Sequence, residues 1–151
     1  MKKLHHLVDQ LKRAVPKTNK FNIEVSNKHV GWHIEHSLLV INKIIEAVLA
    51  SNPSHFNQKF QFKRLLIFAL QSIPRGKAKA PNAVMPSNDI SSLSIQENLI
   101  TTRKNLAKLD NLKGNYFFEH PIFHHLNVKQ TQKFLCIHTK HHLKIINDII
   151  K

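Results

Sequence analysis

Residues Val128–Lys151 read VKQTQKFLCIHTKHHLKIINDIIK, and this stretch predicts one long amphipathic helix. Its apolar side chains recur at the spacing of a single helical face, at Val128, Leu135, Ile145 and Ile149. His138 and His142 fall in the same stripe, four residues apart, so their imidazoles project side by side toward the core. A buried imidazole needs a partner, which is either an ordinary hydrogen bond or a metal ion.

Three further segments show helical periodicity upstream of this stretch. A short helix begins near Leu4 and is stopped by Pro16. A long second helix is expected to start at Ser26 or Asn27, which are good N-cap residues, and to run to about Val48. A third helix is predicted over residues 58–72, with its apolar stripe facing inward: Phe62, Leu65, Leu66 and Ala69.

The fourth helix is predicted from a capping box formed by Ser94 and Glu97, and it extends to about Leu112. Residues 114–127 are expected to form an aromatic and histidine-rich connection, since strand patterns are nearly absent from the chain. The prediction is therefore one all-α domain over residues 1–151, a bundle of four helices with an additional short N-terminal helix.

Charge and cysteine content limit the classes of function. The 151 residues include 23 Lys and Arg against 9 Asp and Glu, a net charge of +14. The basic residues are dispersed and no nucleic-acid-binding motif accompanies them, so we interpret them as solvated helix faces, with nonspecific anion binding as the alternative. Cys136 is the single cysteine, which excludes an internal disulfide. With no signal peptide or transmembrane segment in the sequence, we expect a cytoplasmic protein without a membrane partner.

Twelve histidines, nine of them in three clusters, are more than packing requires. If the second and last helices are neighbours, His36 can join His138 and His142 in a three-histidine site. Three protein ligands with one open position are typical of catalytic zinc, although imidazole also suits nickel and iron. Surface exposure or ordinary hydrogen bonding of these rings is the alternative. The remaining candidates for supporting or catalytic roles are His33, His120 and His141.

A long loop between the third and fourth helices carries alternating basic residues between prolines: Arg75, Lys77 and Lys79. Arginine and lysine in a restricted loop are candidate ligands for an anionic substrate. The alternative is an ordered surface loop whose charges are solvated.

The stretch Val30–Leu38, VGWHIEHSL, together with the terminal HTKHH, resembles the DinB/YfiT-like superfamily. The loops IPRGKAKAP at Ile73–Pro81 and HPIF at His120–Phe123 look like an uncharacterised subgroup of it. The resemblance implies a four-helix bundle with a metal held by three histidines, which map position by position to His36, His138 and His142. Trp32 departs from the pattern, since many members carry a tryptophan about eight residues before the metal histidine, and here it is four before.

The resemblance also implies possible activities, because relatives include transferases that use a low-molecular-weight thiol. The leading hypothesis is a metal-dependent thiol transferase or hydrolase acting on a small anionic substrate, with a homodimer as the possible assembly. The alternative is a non-enzymatic metal-binding or stress-response module that binds an acidic partner or nucleic acid. A fold does not imply a function, so the site must decide between them.

Overall fold

The computed structural model describes residues 2–75, 81–87, 90–112 and 114–151, and these ranges contain five α-helices and one β-hairpin. The helices are α1 Lys2–Ala14, α2 Val30–Ala50, α3 Phe62–Leu70, α4 Ser92–Asn111 and α5 Val128–Ile150, and the strands are β1 Phe117–His120 and β2 His124–Asn127. Short 3₁₀ turns occur at Val15–Lys17, Pro53–His55 and Asn82–Val84. The mostly helical fold that the sequence predicts is confirmed, and the hairpin is an addition to it.

Helix α2 lies at the centre of the fold, packed against α4 and α5, while α1 packs mainly on α5. The fully buried residues of α2 follow helical spacing, and they include Ile34, Leu38, Ile41 and Ile45. Each such side chain contributes about 1.5–3 kcal/mol by leaving water. Because α2 and α5 are direct neighbours, the histidines on these two helices can meet. Within the described ranges, no helix combines the length and the apolar character needed to cross a bilayer.

The start of α2 differs from the sequence expectation. Neither Ser26 nor Asn27 caps the helix; His29 occupies the N-cap position and makes no side-chain capping bond. The amides of Val30 and Gly31 instead donate to carbonyls of the preceding linker, at Lys20 and Thr18, each at 2.9 Å. A Cβ on Gly31 would lie 3.3 Å from the Thr18 Cβ, so glycine allows this close approach. Ser26 is thereby left free to bond elsewhere.

Helix α3 is shorter than predicted, and the prediction that its apolar stripe faces inward is wrong. Phe62, Leu65, Leu66 and Ala69 are all exposed. The buried residue is Arg64 on the other side, whose guanidinium donates to the carbonyls of Lys59 at 2.8 Å and Phe123 at 3.2 Å. These two bonds satisfy a buried charge and orient the helix, which turns the apolar stripe toward solvent.

The two remaining helices begin with reciprocal caps. Helix α4 starts two residues before the predicted capping box, because Ser91 and Ser94 form the box instead of Ser94 and Glu97. Helix α5 starts at Val128 as predicted, where Asn127 and Gln130 exchange side-chain bonds with each other's backbone amides. The cap of α5 fixes where this helix begins, and therefore the position of its histidines along the bundle axis.

The predicted irregular connection before α5 contains a hairpin in which β1 and β2 pair antiparallel, from Phe117 opposite Asn127 to His120 opposite His124. The turn is held by the His120 ring, whose Nδ1 accepts from the amides of Ile122 at 3.0 Å and Phe123 at 3.2 Å. Phe123 and Leu126 are buried against the helical core. The packed hairpin therefore fixes the position at which the chain enters α5.

Candidate metal centre

Three imidazoles from two helices meet in the interior of the bundle. His36 of α2 and His138 and His142 of α5 each offer a ring nitrogen, and these nitrogens all lie within 4.8 Å of one another. The ring centroids are 5.2 Å apart for His36 and His138, 4.8 Å for His36 and His142, and 4.6 Å for His138 and His142. The structure thus brings together the three residues that the sequence selects as candidate ligands.

The chemistry of this trio fits a divalent metal ion. Burial lowers the pKa of all three histidines below the ordinary 6.5, so they are neutral at pH 7 and each has a lone pair to donate. Nδ1 of His138 is buried and has no hydrogen-bond partner among the described residues. Tetrahedral coordination with zinc–nitrogen bonds of about 2.0–2.1 Å places two donors about 3.4 Å apart. The observed span of 4.8 Å therefore needs a contraction of about 1.4 Å to close on a zinc ion.

His36 is oriented by a backbone group and an aromatic face. Its Nδ1 donates to the carbonyl of Val84 at 2.8 Å, which fixes the tautomer that leaves the Nε2 lone pair free. Trp32 stacks on the same ring with centroids 4.8 Å apart and planes inclined by 15°. The position of Trp32, four residues before His36, therefore places it against a candidate ligand.

His142 is oriented by a chain of hydrogen bonds that leads away from the trio. Its Nδ1 lies 3.0 Å from Nδ1 of His33, and Nε2 of His33 lies 3.0 Å from Oγ of Ser26. Burial and the nearby histidines lower the pKa of His33 to about 4, so this ring is neutral and can accept from His142 while donating to Ser26. In that arrangement His142 keeps its Nε2 lone pair for an ion. His33 therefore orients a candidate ligand and does not compete with it.

His141 and Arg75 attach the long loop to α5. The half-buried ring of His141 hydrogen-bonds to the backbone of Ile73, and Arg75 donates to Asp148 at 2.6 Å. The anion-binding role predicted for Arg75 would require this ion pair to open. Lys77 and Lys79, the other two predicted anion ligands, lie outside the described residues.

His120 has a structural position at the hairpin, next to the site but separated from it by Phe134. The Phe134 ring packs on His120 with centroids 4.7 Å apart and on His138 at 5.9 Å. Burial lowers the pKa of His120 to about 4, and its Nδ1 is already used by the turn amides. The His120 ring therefore stabilises the hairpin and the packing around His138.

Sequence reasoning missed two groups that orient the ligands. The Val84 carbonyl is a backbone atom and has no signature in the sequence. Ser26 is of a residue type that favours the N-cap position, so the sequence predicts a cap there. Glu35, the acid nearest to the trio along the chain, is buried and accepts from Asn98 of α4 at 3.4 Å. Burial raises the pKa of Glu35. The contact through Oε1 faces α4, while Oε2 is buried and has no hydrogen-bond partner among the described residues.

Comparison of the chain with family models, with curated proteins and with solved structures found no match.

Proposed function

We propose that this chain is a DinB-like metal-binding protein in which His36, His138 and His142 hold a divalent transition metal ion, with zinc, nickel and iron as the candidates. The observation that carries the proposal is the convergence of three neutral imidazoles within 4.8 Å. Two independent details support it: one ring nitrogen of His138 is buried without a hydrogen-bond partner among the described residues, and the other two rings are held by hydrogen bonds through Nδ1.

The ligand set favours a reactive site over a closed structural one. Structural zinc sites usually have four protein ligands, whereas catalytic sites have three and keep a position for substrate or water. A bound ion would supply a Lewis acid that lowers the pKa of a thiol or water at that position. The protein's own contribution is orientation: Val84 and the His33–Ser26 chain fix two rings, and Trp32 covers one face of His36.

The activity we propose is transfer of a low-molecular-weight thiol to a small anionic substrate, or hydrolysis of such a substrate. Metal binding without catalysis is the second candidate. It is favoured by the ion pair between Arg75 and Asp148, since Arg75 is then not free to bind an anionic substrate.

Metal analysis of the purified chain tests the site. After chelator treatment and reloading with zinc, nickel or ferrous iron in turn, we expect one equivalent of bound metal per chain. His36→Ala and His142→Ala should each lose most of that binding, because two imidazoles hold an ion far less tightly than three. His55→Ala, which removes an exposed histidine, is the matched control and should bind as the parent does. Unchanged stoichiometry and affinity in both ligand variants would refute the assignment.

Activity separates the two candidates once the site is established. The loaded protein is incubated with low-molecular-weight thiols and electrophilic acceptors, and separately with ester and amide substrates. Turnover that disappears in His142→Ala supports a transferase or a hydrolase according to the substrate that reacts. Full metal occupancy without turnover of either class supports the non-enzymatic role.

A further inference from the structure

The outward stripe of α3 forms an unusually apolar surface. Five large side chains, which we call the α3 patch, are 46–79% exposed: Phe60, Phe62, Leu65, Leu66 and Leu70. Together they expose roughly 500–600 Å², at the upper end of what a monomer shows in a single patch. Four of the five follow helical spacing, so they form one continuous face. A face of this size and composition indicates that something covers it.

The segment of the chain that contains α3 carries charges of one sign. No Asp or Glu occurs anywhere in the sequence from residue 47 to residue 88, a segment that contains all of α3. Lys59 and Lys63 lie next to patch residues in the sequence and are exposed. Lys133 of α5 places its ammonium 5.3 Å from the ring centroid of Phe68, on the side of α3 that faces α5. Lys59 and Lys63 therefore flank the apolar face, and an occupant that is both apolar and anionic would complement it.

A cavity of about 320 Å³ opens directly beyond the C-terminal end of α3. Gln71, which follows the last patch residue, lines it together with four lysines from α1 and α5: Lys3, Lys129, Lys133 and Lys140. Asp110 also lines the cavity, where it is bonded to His5 at 2.9 Å. The Lys3 ammonium lies close enough to Lys140 to lower the pKa of that group. An anionic group in the cavity would relieve this repulsion.

We propose that the α3 patch and the adjacent lysine cavity bind the surface of a membrane rich in anionic phospholipid. The apolar side chains of α3 enter the boundary between headgroups and acyl chains, and the lysines contact headgroup phosphates and carboxylates. Short amphipathic helices with large apolar residues and flanking lysines bind membrane interfaces in this way without spanning them. The sequence expectation of no membrane partner rested on the absence of a transmembrane segment, which a helix lying in the interface does not need.

A second copy of the chain fits the same surface less well. Each copy carries a net charge of +14, and the segment around α3 has no acidic group to offer its partner. A stable protein interface needs about 800 Å² from each side, more than the α3 patch provides. An anionic bilayer supplies the missing negative charge and has no fixed area to match.

Flotation of the full chain with vesicles tests the proposal. We expect the protein to float with phosphatidylcholine vesicles that contain phosphatidylserine and to remain unbound with phosphatidylcholine alone. Leu65→Ser/Leu66→Ser should weaken vesicle binding at least about tenfold, because two apolar side chains no longer enter the interface. Leu93→Ser/Ile100→Ser replaces two comparably exposed apolar residues on α4 and should bind as the parent does.

The electrostatic part has its own variants. Lys129→Gln/Lys140→Gln should weaken binding by about fivefold per lysine, whereas Lys104→Gln/Lys108→Gln on α4 should have little effect. Binding to heparin, a soluble polyanion, should be unchanged in Leu65→Ser/Leu66→Ser, which separates lipid insertion from attraction to any anion. Metal stoichiometry should be the same in all of these variants, so this proposal and the proposed function fail independently.

Three outcomes would overturn the proposal. The first is absence of flotation with both kinds of vesicle. The second is equal loss of vesicle binding in the α3 and α4 double variants. The third is a dimer, measured by light scattering, that Leu65→Ser/Leu66→Ser converts to monomer, since the α3 patch would then be an interface between two copies.

Discussion

Removal of the His33 ring tests whether the hydrogen-bond chain from Ser26 orients a metal ligand. In the metal-free protein, His142 can change tautomer or turn its ring when its partner is lost. If Nε2 of His142 holds an ion, as proposed, its Nδ1 must carry a hydrogen and needs an acceptor. His33 provides that acceptor at 3.0 Å, in a position that is only 4% exposed. His33→Phe therefore weakens the bound state selectively.

The size of the effect follows from the cost of a buried donor without a partner, about 1–3 kcal/mol, or roughly a five- to 150-fold loss of metal affinity. Ser26→Ala leaves the contact between His33 and His142 intact and removes one neutral hydrogen bond, worth about 0.5–1.5 kcal/mol. Its affinity should fall only about two- to tenfold. His142→Ala removes a ligand and should lose most. The expected order of affinity is the parent, Ser26→Ala, His33→Phe and His142→Ala.

Competition with a chromophoric zinc chelator measures these affinities, and His55→Ala again serves as the control. Thermal unfolding of each metal-free variant checks that the bundle is intact, so that a loss of binding is not a loss of fold. An affinity of His33→Phe equal to that of the parent would refute the orienting role. So would a larger loss in Ser26→Ala than in His33→Phe, since the chain of bonds would then not pass through His33.

Three other predictions concern stability. Zinc at 100 times its dissociation constant should raise the midpoint of thermal unfolding by about 5–11 °C, since it adds about 2.7 kcal/mol to a chain of 151 residues; a scan with and without metal measures this. His120 has a pKa of about 4 in the fold, so the unfolded chain alone takes up its proton as the pH falls from about 6.5 to about 4, and stability is lost in that window. In urea unfolding, the free energy of unfolding of the parent should fall by up to about 3 kcal/mol more than that of His120→Asn across this pH range. Leu38→Ala, in the core, should cost about 2–5 kcal/mol in urea unfolding, whereas Leu66→Ala, on the exposed face of α3, should cost under about 1 kcal/mol.

The elements that sequence reasoning located well are those with long, regular periodicity. Helix α5 begins at Val128 and carries His138 and His142 on its inner face, and α2 extends through His36 toward Val48 as predicted. Both helices are long enough for their apolar stripe to outweigh local exceptions. The hairpin was missed because each strand is four residues long and rich in aromatic and histidine side chains, without an alternation of apolar and polar residues.

The error at α3 has a different cause. The apolar stripe was located correctly, but its direction was wrong, because a periodic pattern shows which residues share a face and not which face meets the core. The direction depends on Arg64, whose guanidinium finds two backbone carbonyls, one of them in the hairpin. Those carbonyls are far from α3 in the sequence or belong to a loop, so no local pattern encodes the bonds.

The candidate site likewise has some features that residue spacing predicts and others that depend on tertiary packing. The identities of the three histidines and the helices that carry them can be derived from residue spacing, since side chains three or four residues apart share a helical face. The approach of His36 to the α5 pair, the acceptors for Nδ1 of His36 and His142, and the exposure of the α3 patch depend on how separate segments pack. Spacing along the chain is a local property that one helix imposes on its own residues. Contacts between a ring, a distant carbonyl and a neighbouring helix exist only after the bundle has formed, and the burial that keeps the imidazoles neutral arises at the same step.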